Sequence, residues 1–235
     1  MKHIYAWLTL ILTATFVVSP AFTDPFMGFT ADQLPIPQID PPVQPAGPAF
    51  AIWGLIYGWL IVSAVFGVRM RGDDKDWDKA RKPLIVSLAI GTPWLAIANT
   101  SAIWATVTIF MMCIGAIWAM MSAPRADRWW FQAPISIYAG WLTAASFVSL
   151  GSTAAGYGIM LDGVGWAYLA ISMALCTALV VIWRKPSAAE YGLTVIWALV
   201  WIIVANFNSQ TGIATLAGLG IAVVAGATWK MRSPA

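Results

Sequence analysis

Fifteen tryptophans in 235 residues are the main chemical resource of this chain. An indole offers a broad apolar face and one N–H donor, so it can stack on a flat ring system and orient it with a single hydrogen bond. Trp53 and Tyr57 stand four apart, which puts them on one face of a helix. Tyr138, Trp141 and Ala145 repeat that three-to-four spacing, and the alanine leaves room beside the rings. Converging rings of this kind form a slot for a flat, apolar, weakly polar ligand, such as a tetrapyrrole, a sterol-like ring system or a carotenoid. Trp59, Trp94, Trp104, Trp118, Trp197 and Trp201 also read as deep or on other faces. Trp7, Trp77, Trp129, Trp130, Trp166, Trp183 and Trp229 read as interfacial anchors.

The long apolar runs lack the usual catalytic groups. No Asp, Glu, Lys, Arg or His lies inside them, and Glu190 sits at an edge. That removes the ordinary general acids, bases and activated nucleophiles and the mid-membrane charges of ion-coupled transporters. Cys113 and Cys176 have neither metal-site nor disulfide spacing, and His3 is the only histidine, so no metal site is expected. The polar residues that remain are neutral, among them Asn99, Thr143, Ser146 and Asn206. They suit hydrogen bonding to a ligand or between helices. An enzyme built on this chain would need Tyr, Trp or a bound cofactor for its chemistry, and a non-enzymatic role is expected.

The elements that position these residues follow from composition. With 60% hydrophobic and 10% charged residues and a mean hydropathy of +0.76, the chain is far from the ~25% charged residues of a soluble domain. Apolar runs of about 20 residues, the length that crosses a ~30 Å hydrocarbon core, predict an all-α polytopic transmembrane bundle of about eight spans: 4–22, 48–68, 83–101, 103–122, 131–150, 164–183, 188–206 and 212–229. The first reads as a retained helix rather than a cleaved signal. All thirteen Lys and Arg residues fall on one set of alternate connections, the N-terminus, 69–82, 123–130, 184–187 and the C-terminal tail. The other set carries Asp24, Asp32, Asp40 and Asp162. This segregation predicts N-in/C-in topology with both termini cytoplasmic, and it suits a bacterial inner membrane. The cations are topology anchors, so no nucleic-acid partner is expected. The 69–82 loop reads as a solvated connection into the third helix, with Pro83 in its first turn.

The acidic-side segment 23–47 carries Pro25, Pro35, Pro37, Pro41, Pro42 and Pro45. Proline at this density blocks helix and favours extended backbone. Phe22, Phe26, Phe29, Leu34 and Ile36 make it too apolar for a free linker, so it reads as a lid or interface over the helix ends.

This Pro-rich loop leads into Trp53-Gly-Leu-Ile-Tyr57 on span two, and span five carries Tyr138-Ala-Gly-Trp141-Leu-Thr-Ala-Ala145. At these residues the chain resembles the TspO/MBR family, the translocator or tryptophan-rich sensory proteins, as a distant or C-terminally extended member. Ile137 stands where the family motif has proline, Pro41-Pro42 lies further from Trp53 than the motif has it, and Asn99 with Trp104 loosely matches an Asn/Trp pair on helix three. The resemblance covers 1–150 as a five-helix region, leaving 151–235 as three additional helices. It implies a pocket between helices, closed by the 23–47 loop, for a tetrapyrrole, including a porphyrin or haem-type ligand, or for a sterol-like lipid. Trp53, Tyr57, Asn99, Trp104, Tyr138, Trp141 and Ala145 are the ligand-binding candidates it implies, and a sensor or carrier is the role. The alternative from the aromatic and Gly-rich faces is a structural or assembly subunit, as a homodimer or in a larger, possibly pigment-containing membrane complex, with membrane lipids as neighbours in either case.

Overall fold

The computed structural model describes residues 3–230, so the expected anchors Lys2 and Arg232 lie outside the described residues. Nine α-helices follow in order: α1 Ile4–Val18, α2 Ile52–Met70, α3 Lys75–Gly91, α4 Trp94–Ala98, α5 Ala102–Ser122, α6 Ala133–Gly156, α7 Gly163–Arg184, α8 Ala189–Asn206 and α9 Thr211–Lys230. Tight turns extend α1 over Ser19–Phe22 and lead into α2 over Gly47–Ala51, and a wider turn over Arg128–Gln132 leads into α6. The chain is a multi-pass integral membrane protein: seven of its helical stretches are long and apolar enough to cross a bilayer.

The third expected span differs from the other seven. It is divided into α3 and α4 at Thr92-Pro93, and α3 starts eight residues before the expected span, inside the stretch read as a solvated loop. Asp74 caps it, accepting from the Asp76 and Trp77 backbone N–H groups at 2.9 and 3.2 Å, and Asp76 and Asp78 occupy its first turn, where carboxylates oppose the positive end of the helix dipole. Pro83 therefore lies in the helix interior. The charged first half of α3 is solvated on one face and packed on the other: Trp77 is 1% exposed and stacks on Phe131 at 3.8 Å. This corrects its reading as an interfacial anchor.

α6 is the centre of the bundle. In the most apolar window of its span 72% of residues are buried, against 22–56% in the other six. It packs on α2, α5, α7 and α8. Small residues permit this: a Cβ on Gly140 would lie 2.7 Å from the Tyr191 carbonyl oxygen and 2.9 Å from the Thr194 Cβ. Hydroxyls link the same surfaces, Thr143 with Tyr191 at 2.9 Å and Thr106 with Ser149 and Thr153 at 2.8 Å each.

The connections carrying the cations gather at one end of the bundle. His3 meets Asp73 at 3.3 Å, which brings the start of α1 to the 71–74 loop. Arg71 grips Asp127 with two hydrogen bonds of 2.9 and 3.1 Å, and the Trp77 indole donates to the same carboxylate at 2.9 Å. Burial pushes the Asp127 carboxyl up, but the Arg71 and Trp77 donors outweigh it and hold the group below its ordinary value of 3.8. Lys185 reaches the Met121 and Ala123 carbonyls at 3.0 and 2.9 Å. Leaving bulk water pushes its ammonium pKa down.

Two outcomes follow from this packing. Gly140→Ala forces a methyl against a backbone oxygen and is expected to cost about 1–3 kcal/mol, read as a lower midpoint of thermal unfolding in detergent; an unchanged midpoint contradicts the close α6–α8 approach. Asp127→Asn is expected to cost about 1–3 kcal/mol at neutral pH. Because the folded-state pKa of Asp127 is depressed, its contribution is complete above the unfolded value of about 3.9 and disappears as pH falls through the lower folded value. The stability gap between wild type and variant should therefore be constant from about pH 5 upward and close in stronger acid.

Candidate functional site

A cavity of about 240 Å³ lies at the end of the bundle opposite the basic connections, enclosed by α1, α2, α3–α4, α5 and α6 and roofed by the Pro-rich strap. Its walls are nearly all apolar. Phe16, Trp53, Tyr57, Trp141 and Ala145 face it from α1, α2 and α6, and Pro25, Phe26, Phe29 and Pro45 contribute from the strap.

Most of the ring contacts are edge to face. Phe16 is a hub: its centroid lies 5.9 Å from Trp53, 5.4 Å from Tyr57 and 5.7 Å from Tyr138, at interplanar angles of 71°, 85° and 62°. Trp53 stacks on Tyr57 at 5.1 Å and meets Trp141 at 6.2 Å and 81°, and Phe50 meets Trp141 at 5.7 Å and 79°. The space for Phe16 comes from Gly91, where a Cβ would lie 2.8 Å from the Phe16 ring and 2.9 Å from the Met112 methyl. One turn on, the break at Pro93 turns Trp94 and Leu95 toward the cavity. Trp94 is anchored by its N–H on the Ala105 carbonyl at 3.0 Å and by its ring against Phe26 at 5.3 Å.

The strap is held over the cavity by side-chain amides donating to backbone carbonyls: Asn99 to Asp24 at 3.0 Å, Gln33 to Ala98 at 2.7 Å and Gln44 to Met27 at 2.9 Å. Its far end hangs on α8. Asn206 donates to the Pro42 carbonyl at 2.9 Å, the Ala46 N–H donates to the Trp201 carbonyl at 3.1 Å, and the Trp197 indole donates to the Ala49 carbonyl at 2.9 Å.

A family model described as TSPO-like protein matches residues 3–229. The chain belongs to the TSPO-like protein family. The match runs across the boundary drawn at residue 150, so α7, α8 and α9 lie within the matched stretch. No curated protein and no solved structure gives a match.

Of the seven candidate residues, Trp53, Tyr57, Trp141 and Ala145 share the one cavity. Tyr138 is fully buried behind the Phe16 ring, with its hydroxyl 3.0 Å from that of Ser87. Asn99 acts on the strap. Trp104 is 63% exposed on α5 and is not among the residues that line the cavity. Sequence reasoning did not pick out Phe16 or Gly91 as cavity residues, whereas Phe26 and Phe29 line it from the segment read as a lid. For Phe16 a signal existed: Ala6, Thr9, Thr13 and Phe16 are the buried residues of α1, spaced three and four apart, and mark a single inward stripe.

Asn99→Ala removes one of the strap's amide donors without touching the cavity wall. Backbone hydrogen exchange across 24–33 should speed up by about tenfold, the size of one hydrogen bond, with exchange in α6 unchanged. Equal exchange in variant and wild type would mean that Asn99 does not hold the strap.

Proposed function

We propose that this TSPO-like chain binds a flat, largely apolar ligand, a tetrapyrrole or a sterol-like lipid, in the cavity beneath the strap, and acts as a sensor or carrier for it. The observation that carries this reading is the meeting of Trp53, Tyr57, Trp141 and Ala145 on the walls of one apolar cavity. Indole and phenol rings supply flat faces for stacking, and Ser149 and Ser152 offer hydroxyls at the cavity edge.

The cavity's 240 Å³ is somewhat below the ~300–1,000 Å³ typical of pockets for drug-sized ligands. A tetrapyrrole therefore enters only if the strap lifts. Two of its amide contacts, Asn99 to Asp24 and Gln44 to Met27, lie at the surface, which suits a segment that must open and re-form. Displacement of the strap is the signal in a sensor and the gate in a carrier. In this reading the basic end faces the cytoplasm of a bacterial inner membrane, and the cavity faces the other way.

A second reading, a subunit of a larger membrane complex, draws on Gly54 and Gly58. They stand four apart on the exposed face of α2, with open space where a Cβ would lie on either. Small residues at that spacing let a second helix approach closely.

Titration of protoporphyrin into the purified full chain in nanodiscs should quench tryptophan emission saturably. Ala145→Leu, which fills the cavity, should weaken the apparent affinity by about tenfold or more while leaving the unfolding midpoint within about 2 °C of wild type. Emission unchanged throughout the titration rules out the tetrapyrrole reading. A large stoichiometric partner retained in mild detergent favours the subunit reading.

A further inference from the structure

On the face of α2 turned away from the aromatic cavity, a groove of about 370 Å³ runs between α2 and α8. Ile52, Ile137 and Thr194 are buried along it, and the half-exposed Leu55 and Leu193 flank it, so it opens toward the lipid. The groove also contains Glu190, the one carboxylate among its lining residues. Glu190 is 7% exposed. Arg128 directs both its Nε and its Nη2 at the same oxygen, Oε1, and the other oxygen, Oε2, is buried with no hydrogen-bond partner.

The remaining polar hydrogens of the groove are committed. The Thr194 hydroxyl donates to the Glu190 carbonyl at 2.8 Å, and the Trp197 indole donates to the Ala49 carbonyl. A buried carboxylate oxygen accepts only, and leaving it bare is costly. An acyl chain in the groove covers its apolar lining but gives Oε2 nothing. What the groove lacks is an apolar body with a hydrogen-bond donor at one end.

Arg128 already balances the charge of Glu190, so an ammonium would bring an uncompensated cation into an apolar groove, whereas a hydroxyl brings none. We propose that the α2–α8 groove is a second binding site, separate from the aromatic cavity, for a neutral lipid-phase molecule bearing a free hydroxyl that donates to Glu190 Oε2. Glu190 and Trp197 are seven residues apart on α8, or about 10 Å along the helix. The head therefore sits at the basic end of the bundle, and the apolar body extends past Leu55 and Leu193.

The test uses the full chain in phosphatidylcholine nanodiscs and a long-chain primary alcohol carrying a diazirine, compared with its methyl ether and its primary amine. The alcohol should label α2 and α8 around Leu55 and Leu193 about tenfold more than the ether, as expected for one hydrogen bond to a charged acceptor. Glu190→Gln should remove that preference. Leu55→Trp, which fills the groove from its exposed rim and touches neither Glu190 nor the aromatic cavity, should abolish labelling while porphyrin quenching and the unfolding midpoint stay at wild-type values. Equal labelling by alcohol and ether, stronger labelling by the amine, undiminished labelling of Leu55→Trp, or a cross-link joining the groove residues of two copies would each overturn the assignment.

Discussion

The bundle depends on close approach of helices around α6. Lipid chains are as apolar as leucine, so burying a leucine between helices gains little over leaving it in the bilayer, and association rests on packing and interhelical hydrogen bonds. α6 has the composition this requires. Gly140 lets the Tyr191 backbone come within van der Waals reach, and the Ala170 Cβ would lie 3.1 Å from a Cβ on Gly151. Its hydroxyls first satisfy their own helix, as Ser136 does with Gln132 at 2.6 Å and Thr143 with Ala139 at 2.9 Å. Some then reach across to a neighbour, as Thr143 does to Tyr191.

The aromatic cavity is the local exception to that packing. Where α6 carries Trp141 and Ala145 in place of small residues alone, the neighbouring helices stand apart, and rings prop the gap. Edge-to-face contacts set Phe16 against Trp53 and Tyr57, and Trp53 against Trp141, at steep angles, while Trp53 and Tyr57 stack on each other. The break at Pro93 adds to this, since α4 turns Trp94 toward the cavity rather than continuing the line of α3.

The span pattern and the clustering of cations at one end were legible in the sequence because both are long-range regularities of hydropathy and charge. The Trp53/Tyr57 and Trp141/Ala145 pairs were legible because helical spacing fixes a common face. What could not be read was which face turns inward. Trp104 has the same composition-level credentials as Trp141, yet one is exposed and the other lines the cavity, and only the packing of α5 on α3 and α6 decides between them. The mixed-charge stretch Lys75–Lys82 reads as a loop on hydropathy alone. Its Asp74 cap and its first-turn carboxylates were visible local signals, but the burial of Trp77 depends on Phe131 and Asp127, some fifty residues away. Glu190 stood at the edge of its apolar run, and its half-satisfied carboxylate emerges only when Arg128 is placed beside it.

The anchoring of the strap on α8 bears on how the molecule is made. Pro42, Ala46 and Ala49 find their hydrogen-bond partners at Asn206, Trp201 and Trp197, over 140 residues downstream. A ribosome inserting helices from the N-terminus completes the five helices around the aromatic cavity long before it has produced the segment that seats the far end of their roof. Until the eighth helix joins the bundle, the stretch from Pro42 to Ala49 lacks these partners. The C-terminal helices thus complete the seating of the roof, and a chain shortened after the fifth long helix keeps it on the Asn99 and Gln33 tethers.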